Sequence, residues 1–115
     1  MGIVAKERQA GGEIILELSG RLYLGESSED LDHKLQSLFA EGKVNLILDC
    51  SGVSGIDSQG IKVLVRGVIS AHTRGGKVVL LKISHRVRDV LTITHLLSVI
   101  ESFDDEQSAL ASFPS

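Results

Sequence analysis

Apolar and polar residues alternate near the amino end of the chain, which is the pattern of a half-buried β-strand. A strand predicted over residues 14–19 would place three apolar residues on one face: Ile14, Leu16 and Leu18. An earlier strand is predicted at residues 3–5, and the glycines at residues 10–12 fit a turn between the two. The pattern therefore predicts an antiparallel hairpin, which we expect to end at Gly20.

Two long segments have the spacing of amphipathic helices. The first is predicted at about residues 28–41, with Ser27 or Ser28 as its N-cap and Gly42 at its end. Its predicted buried stripe comprises Leu31, Leu35, Leu38 and Phe39. The second helix is predicted at residues 58–73. Its predicted buried face comprises Ile61, Leu64, Val65, Val68 and Ala71.

The carboxyl-terminal third of the chain predicts two shorter helices and a short strand. Ser84 can cap a third helix, and the spacing of Asp104 and Gln107 fits a capping box at the start of a fourth. A short strand is predicted between them, near residues 99–100.

Two apolar runs, at residues 44–48 and 77–82, lack alternation. Strands covered on both faces show this pattern, which is typical of parallel sheets. The predicted order is β-β-α-β-α-β-α-β-α. We therefore expect an α/β fold with a mixed sheet, in which the opening antiparallel hairpin is followed by parallel strands joined by crossover helices.

Composition narrows the classes of protein that fit this order. A chain of 115 residues with 43% apolar content is expected to form a single domain over residues 1–115. A formal net charge of −3 argues against nucleic-acid binding, and the apolar runs are too short for direct membrane insertion. The amino end lacks a secretory signal pattern, and Cys50 is the single cysteine, so we expect a cytoplasmic protein.

The junction before the second long helix is the strongest candidate site. An apolar strand ends in Asp49, small residues follow, and Asp57 and Ser58 stand where the helix begins. Sites in parallel sheets gather beyond the carboxyl ends of the strands, so we expect Asp49 and a loop at residues 50–58 to form the site. An exposed Ser58 hydroxyl near the positive end of the helix dipole would suit the addition and removal of phosphate.

The helix that follows extends the candidate surface. Ser58, Lys62 and Arg66 have i, i+4, i+8 spacing and would share one solvent-facing strip. The simpler alternative is that Asp57 or Ser58 only caps the helix, since both residue types are common N-caps. Both interpretations remain open at this point.

Catalytic and metal sites fit the sequence poorly. No histidine lies in the candidate loop to act as a base for Ser58. The four histidines lack metal-ligand spacing: His33, His72, His85 and His95. We therefore expect no enzymatic activity, no metal and no cofactor, and Cys50 is interpreted as a small packed residue.

Several segments in order resemble the STAS domain, the module of sulphate transporters and anti-sigma-factor antagonists. The resemblance covers nearly the whole chain, and it rests on residues 20–22, 44–49, 56–61, 75–80 and 91–96. In this family, the serine of the Asp-Ser-x-Gly segment is the usual phosphoacceptor, which implies Ser58 here. Tyr23 stands where the family often has an acidic residue, and Gln59 where Ser or Thr is common.

The resemblance implies a partner-switching antagonist. Unphosphorylated, it would bind an anti-sigma factor that is also a serine kinase. Phosphorylation of Ser58 would release that partner, and a serine phosphatase would reset the cycle. Together with the strip on the second helix, the predicted partner-binding residues are Tyr23, Asp57, Ser58, Gln59, Gly60, Lys62 and Arg66. The alternative is a non-switching STAS scaffold or a cytoplasmic subunit of a signalling or transporter assembly.

Overall fold

The chain opens with the predicted hairpin, which is longer than the alternation indicated. The computed structural model describes residues 3–114, with strands β1 (Val4–Ala10) and β2 (Glu13–Leu22) paired antiparallel. Gly11 and Gly12 form the turn with φ values of 57° and 85°, as two-residue hairpin turns require. The expectation that the strand ends at Gly20 is wrong, because β2 pairs with a third strand as far as Leu22.

The remaining elements alternate as predicted. They are α1 (Glu26–Ala40), β3 (Asn45–Ile56), α2 (Ser58–Thr73), β4 (Lys77–Leu81), α3 (His85–Ile93), a 3-10 turn (Leu96–Ser98), β5 (Ser102–Phe103) and α4 (Glu106–Ala111). The sheet has the order β1-β2-β3-β4-β5, and every pair after the hairpin is parallel. The predicted α/β fold with a mixed sheet is confirmed. The expected domain over residues 1–115 includes residues 1, 2 and 115, which lie outside the described residues.

The sheet is covered on both faces, which explains the unbroken apolar runs of β3 and β4. Helices α1, α2 and α3 pack on one face and enclose the larger core. The other face carries a smaller core beneath α4, made by Ile15, Ile47, Val79, Leu81, Ala109 and Phe113. Among the described residues, no helix combines the length and apolar character needed to cross a membrane.

The predicted cap of α1 is wrong. The N-cap is Gly25, and Ser27 and Ser28 lie inside the first turn, buried. Their hydroxyls donate to the carbonyl of Tyr23 at 2.9 and 2.6 Å instead of accepting from free helix amides. The predicted apolar stripe and the left-handed Gly42 at the end of the helix are both confirmed.

The buried face of α2 differs from the prediction in part. Leu64 and Ala71 are buried as expected, whereas Ile61, Val65 and Val68 are half-buried. The other buried positions are Gly60, Val63 and Gly67. At Gly67 an added Cβ would lie 2.9 Å from a methyl group of Leu35 on α1, so the glycine permits the two helices to approach closely. Hydrophobic periodicity does not register such positions, because glycine adds no apolar side chain.

Two details of the carboxyl-terminal prediction are wrong. The last strand is Ser102–Phe103 instead of residues 99–100, because the 3-10 turn carries the chain further before it rejoins the sheet. The cap of α4 is Asp105, whose carboxylate accepts from the Ser108 amide at 2.8 Å, and not Asp104. The Ser84 cap of α3 is confirmed by its bond from the Val87 amide at 3.2 Å.

Candidate functional site

Strand β3 extends through most of the segment that was predicted to be a loop. Residues as far as Ile56 remain paired with β2, opposite Leu22. The pairing shifts twice, between Glu17 and Ser19 and between Gly20 and Arg21, and each time β3 contains one extra residue. Such bulges bend a strand and re-aim its side chains, and they are frequent beside functional sites. At β3, the carboxyl edge of the sheet therefore begins at Asp57 and not at Asp49.

Asp49 lies in the middle of β3, away from this edge. Its side chain is only 7% exposed and accepts from the Ser51 amide at 3.0 Å. At about 3.3 Å per strand residue, up to roughly 26 Å of chain separates it from Asp57. The expectation that Asp49 belongs to the site is therefore wrong. The next residue, Cys50, is buried in the larger core. Desolvation, with the nearby Asp49 charge, raises the pKa of its thiol to about 12.

Asp57 is the residue that caps α2. One carboxylate oxygen, Oδ1, accepts from the amides of Gln59 and Gly60, both at 3.0 Å. The other, Oδ2, accepts from the Leu24 amide at 2.8 Å. Desolvation alone would raise the pKa of Asp57, but the amides of Gly60, Leu24 and Gln59 together hold it below its usual value. Asp57 therefore carries a stable negative charge and links the start of α2 to the connection between β2 and α1.

Ser58 is the first residue of α2, and it is exposed. Because Asp57 provides the cap, the Ser58 hydroxyl is not needed for that purpose, and within residues 3–114 no side chain or carbonyl bonds it. Of the two candidate caps, Asp57 is therefore the residue that caps the helix. A free hydroxyl at a helix N-terminus is a chemically accessible position for a phosphate.

Tyr23 lies on the connection between β2 and α1 and precedes Leu24, whose amide donates to Asp57. Its side chain is 38% exposed, and its hydroxyl lies against Gly55, where an added Cβ would overlap it. Gly55 lies at the second bulge of β3, opposite Arg21. The aromatic ring therefore packs over β3 at a point where only glycine leaves room for it.

The remaining predicted site residues extend along α2. Gln59 is half-buried and Gly60 is buried, while Lys62 and Arg66 are exposed. Arg66 forms an ion pair with Asp32 of α1 at 2.9 Å, and Lys62 has no ion-pair partner among the described residues. The structure places Ser58 next to Asp57, and Asp57 is linked to the segment that contains Tyr23 through the Leu24 amide. Arg66 lies two turns along the helix and is held against α1.

Sequence reasoning missed Leu24. Its side chain is 74% exposed, although its backbone amide is bound directly by Asp57. The available signal was a large apolar residue in an otherwise polar connection, between Tyr23 and Gly25. Sequence reasoning also missed Asp32, because nothing in the spacing of α1 pairs it with Arg66.

Among the described residues, no group of three or more potential ligand side chains could hold a metal ion. All four histidines are exposed and dispersed: His33, His72, His85 and His95.

The family profile of the STAS domain matches residues 4–109. This chain belongs to the STAS domain family. Among curated protein sequences, none matches the chain significantly.

Several solved structures share the fold. An anti-sigma factor antagonist from Mycobacterium paratuberculosis is 18% identical with a TM-score of 0.84, covering 96% of this chain and 93% of its own. The phosphorylated form of the Bacillus cell fate determinant SpoIIAA is 18% identical with a TM-score of 0.70, covering 91% and 96%. A sulfate transporter family protein from Wolinella succinogenes is 26% identical with a TM-score of 0.71, covering 84% and 80%. The first two likenesses, at this level of identity, establish the fold alone.

Proposed function

We propose that this STAS domain is an anti-sigma-factor antagonist controlled by phosphorylation of Ser58. Unphosphorylated, it binds an anti-sigma factor that is also a serine kinase, and phosphorylation releases that partner. A serine phosphatase removes the phosphate and restores binding. The proposal rests on one observation at the start of α2. Asp57 caps the helix, so the exposed Ser58 hydroxyl remains free.

The charges at this position explain why a phosphate would act as a switch. A phosphoserine adds about −1.5 to −2 charges at neutral pH. That charge would appear next to the anionic Asp57, on an exposed surface. A partner that accepts a neutral hydroxyl there would face like-charge repulsion and the cost of desolvating a dianion. Release on phosphorylation therefore requires no rearrangement of the fold.

In this proposal, the protein is a cytoplasmic binding module, and its partners catalyse both the phosphorylation and the dephosphorylation. The contact face comprises Tyr23, Asp57, Ser58, Gln59, Gly60, Lys62 and Arg66. The solved structure of SpoIIAA in its phosphorylated form supports the switch, since a protein of this fold exists in that state. The antagonist from Mycobacterium paratuberculosis supports the assignment to the same class of regulator.

The test combines phosphate mapping with two substitutions. We expect a cognate anti-sigma-factor kinase from a panel to label Ser58 when supplied with ATP, as detected by mass spectrometry. Ser58→Ala should bind this kinase persistently, because it cannot acquire a phosphate. Ser58→Asp should bind at least about tenfold more weakly by calorimetry, because it adds charge beside Asp57. Equal affinities of the two variants would refute the switch.

Substitutions on α2 test the extent of the contact face. Lys62→Glu should weaken kinase binding, because it reverses an exposed charge on the proposed contact face. Lys62 has no ion-pair partner among the described residues, so the substitution breaks no ion pair among them. Arg66→Glu should weaken kinase binding too, and it also breaks the Asp32 pair. Wild-type affinity of both variants would place the contact elsewhere.

The second candidate function is a STAS scaffold within a transporter assembly. The likeness to the Wolinella succinogenes transporter family protein favours it. In that case, Ser58 would remain unlabelled by the kinase panel, and a pull-down would retrieve membrane transporter subunits.

A further inference from the structure

Leu24 is an exposed apolar residue in a backbone segment that several hydrogen bonds hold in place. Leu24 is 74% exposed, follows Tyr23 in the chain, and is bound through its amide to Asp57 of the proposed contact face. A single exposed leucine is ordinary on a protein surface. What distinguishes Leu24 is the number of hydrogen bonds that hold the short segment around it.

Both neighbours of Leu24 are held by α1. The Ser27 hydroxyl accepts from the Tyr23 amide at 3.0 Å, and Ser27 and Ser28 both donate to the Tyr23 carbonyl. The Gly25 carbonyl accepts from the Glu29 amide at 3.1 Å. Gly25 itself has a φ of 105°, a conformation that other residues rarely adopt.

The middle of the segment is held from the opposite side, by Asp57. The carboxylate divides its two oxygens, with Oδ1 bound to α2 and Oδ2 bound to the Leu24 amide. The Asp57 amide in turn donates to the Leu22 carbonyl at 3.2 Å. The Leu24 segment and the Ser58 segment therefore form one rigid surface.

We propose that Leu24 is an apolar anchor for the kinase that binds the chain when Ser58 is unmodified. Asp57 is the positioning residue that holds the Leu24 backbone in place. This inference rests on the proposed function. The partner surface would offer an apolar socket for Leu24 beside the place that accepts the unmodified Ser58 hydroxyl. An anchor fixed before binding loses little conformational freedom on docking, and moving an exposed leucine side chain out of water favours binding.

The substitution Asp57→Asn separates positioning from capping. The amide oxygen of asparagine can replace Oδ1 and still accept from Gln59 and Gly60. Its amino group would then replace Oδ2, and it cannot accept from the Leu24 amide. We expect hydrogen exchange of the Leu24 amide, measured by NMR, to accelerate about tenfold or more. The Gln59 and Gly60 amides should stay within about twofold of wild type. Unchanged exchange at Leu24 would overturn the positioning role.

Binding tests the anchor with the kinase of the panel that binds the unmodified chain most tightly. Leu24→Ser should weaken binding by roughly 10- to 100-fold, the range expected when a leucine side chain no longer becomes buried. The matched control is Ile93→Ser, which removes an equally exposed residue (76%) from the far end of α3. Asp57→Asn should weaken binding less than Leu24→Ser. Wild-type affinity of Leu24→Ser, or an equal loss in the Ile93 control, would overturn the anchor.

The same measurements separate this inference from the switch. If Ser58→Asp abolishes binding while Leu24→Ser binds normally, the switch stands and the anchor is wrong. If Leu24→Ser loses binding while Ser58→Asp and Ser58→Ala bind equally, the anchor stands without the switch. If no kinase of the panel binds the unmodified chain, the anchor falls with the proposed function, and the exchange experiment alone decides the role of Asp57.

Discussion

At the residue scale, the charge of Asp57 connects the local structure to solution conditions. Its pKa is lower in the folded chain than in the unfolded chain, because three backbone amides donate to the carboxylate. The unfolded chain therefore takes up the proton at a higher pH. The stabilisation from Asp57 is complete above the unfolded pKa of about 4, and it is lost as the pH falls through the folded pKa.

We expect the melting temperature of the wild-type protein to fall on acidification below about pH 4. In Asp57→Asn the fall should be shallower, because the variant has no group to protonate at this position. A residual fall should remain, since hydrogen bonds also lower the pKa of Asp105 and of Glu106. Thermal denaturation followed by circular dichroism across the range of pH measures the difference. Parallel curves for the two proteins would show that folding does not lower the pKa of Asp57.

Some features of the candidate site could be predicted from the sequence at the level of single residues, and others could not. The exposed position of Ser58 at the start of a helix follows from local patterning, because capping preferences act within one turn. The bond from Leu24 to Asp57 joins residues far apart in the sequence, and only the packing of β2 against β3 brings them together. The ion pair of Asp32 with Arg66 depends in the same way on how α1 lies against α2.

At the scale of elements, helix α2 shows the importance of two glycines at its interfaces. Gly60 faces the Leu22 carbonyl, where an added Cβ would overlap a backbone atom. Gly67 faces a terminal methyl group of Leu35, which can move aside. The two positions therefore tolerate a methyl group differently, although both lie in the same helix.

We expect Gly67→Ala to stay within about 1 kcal/mol of the wild-type free energy of unfolding. Alanine favours the helix by about 1 kcal/mol over glycine, which offsets the displacement of Leu35. Gly60→Ala should lose more than about 2 kcal/mol despite the same gain in propensity, because a backbone carbonyl cannot move aside cheaply. Urea denaturation of both variants measures the difference. Equal stabilities would mean that the Leu22 backbone adapts.

Element boundaries were predictable where the local signals were strong. The bounds of α2 agree with the sequence, since the Asp-Ser start, the apolar spacing and the terminal glycines all coincide. The length of β3 was not predictable in the same way, because its second half is rich in serine and glycine. That half is a strand because β2 pairs with it, and pairing of this kind is a tertiary effect.

At the scale of the whole molecule, α4 is the one helix within residues 3–114 that packs on the second face of the sheet. Arg8 of β1 forms ion pairs with Glu17 and with Glu106 of α4, and Phe113 is buried against the sheet. The side chains of Arg8 and Glu106 are about one third exposed, so solvent weakens their attraction. Apolar burial therefore contributes more than the ion pair to holding this helix.

We expect Phe113→Ala to lower the free energy of unfolding by about 3 kcal/mol, as is typical of an aromatic side chain removed from a core. Arg8→Gln should lower it by less than about 1 kcal/mol. Urea denaturation gives both values, and hydrogen exchange at Ala109 should accelerate only in the Phe113 variant. A larger loss in the Arg8 variant would reverse the assignment.

The uneven lengths of the strands have a consequence for how this surface can vary. The paired ends of β2 and β3 continue beyond the point where β4 stops, and two bulges set how Leu22 aligns with Ile56. Deleting a single residue from either bulge would shift the Leu24 segment relative to the Ser58 segment without altering any of their side chains. Under the proposed function, related chains could therefore differ in the partners they bind through the length of these bulges, without any substitution in the contact face.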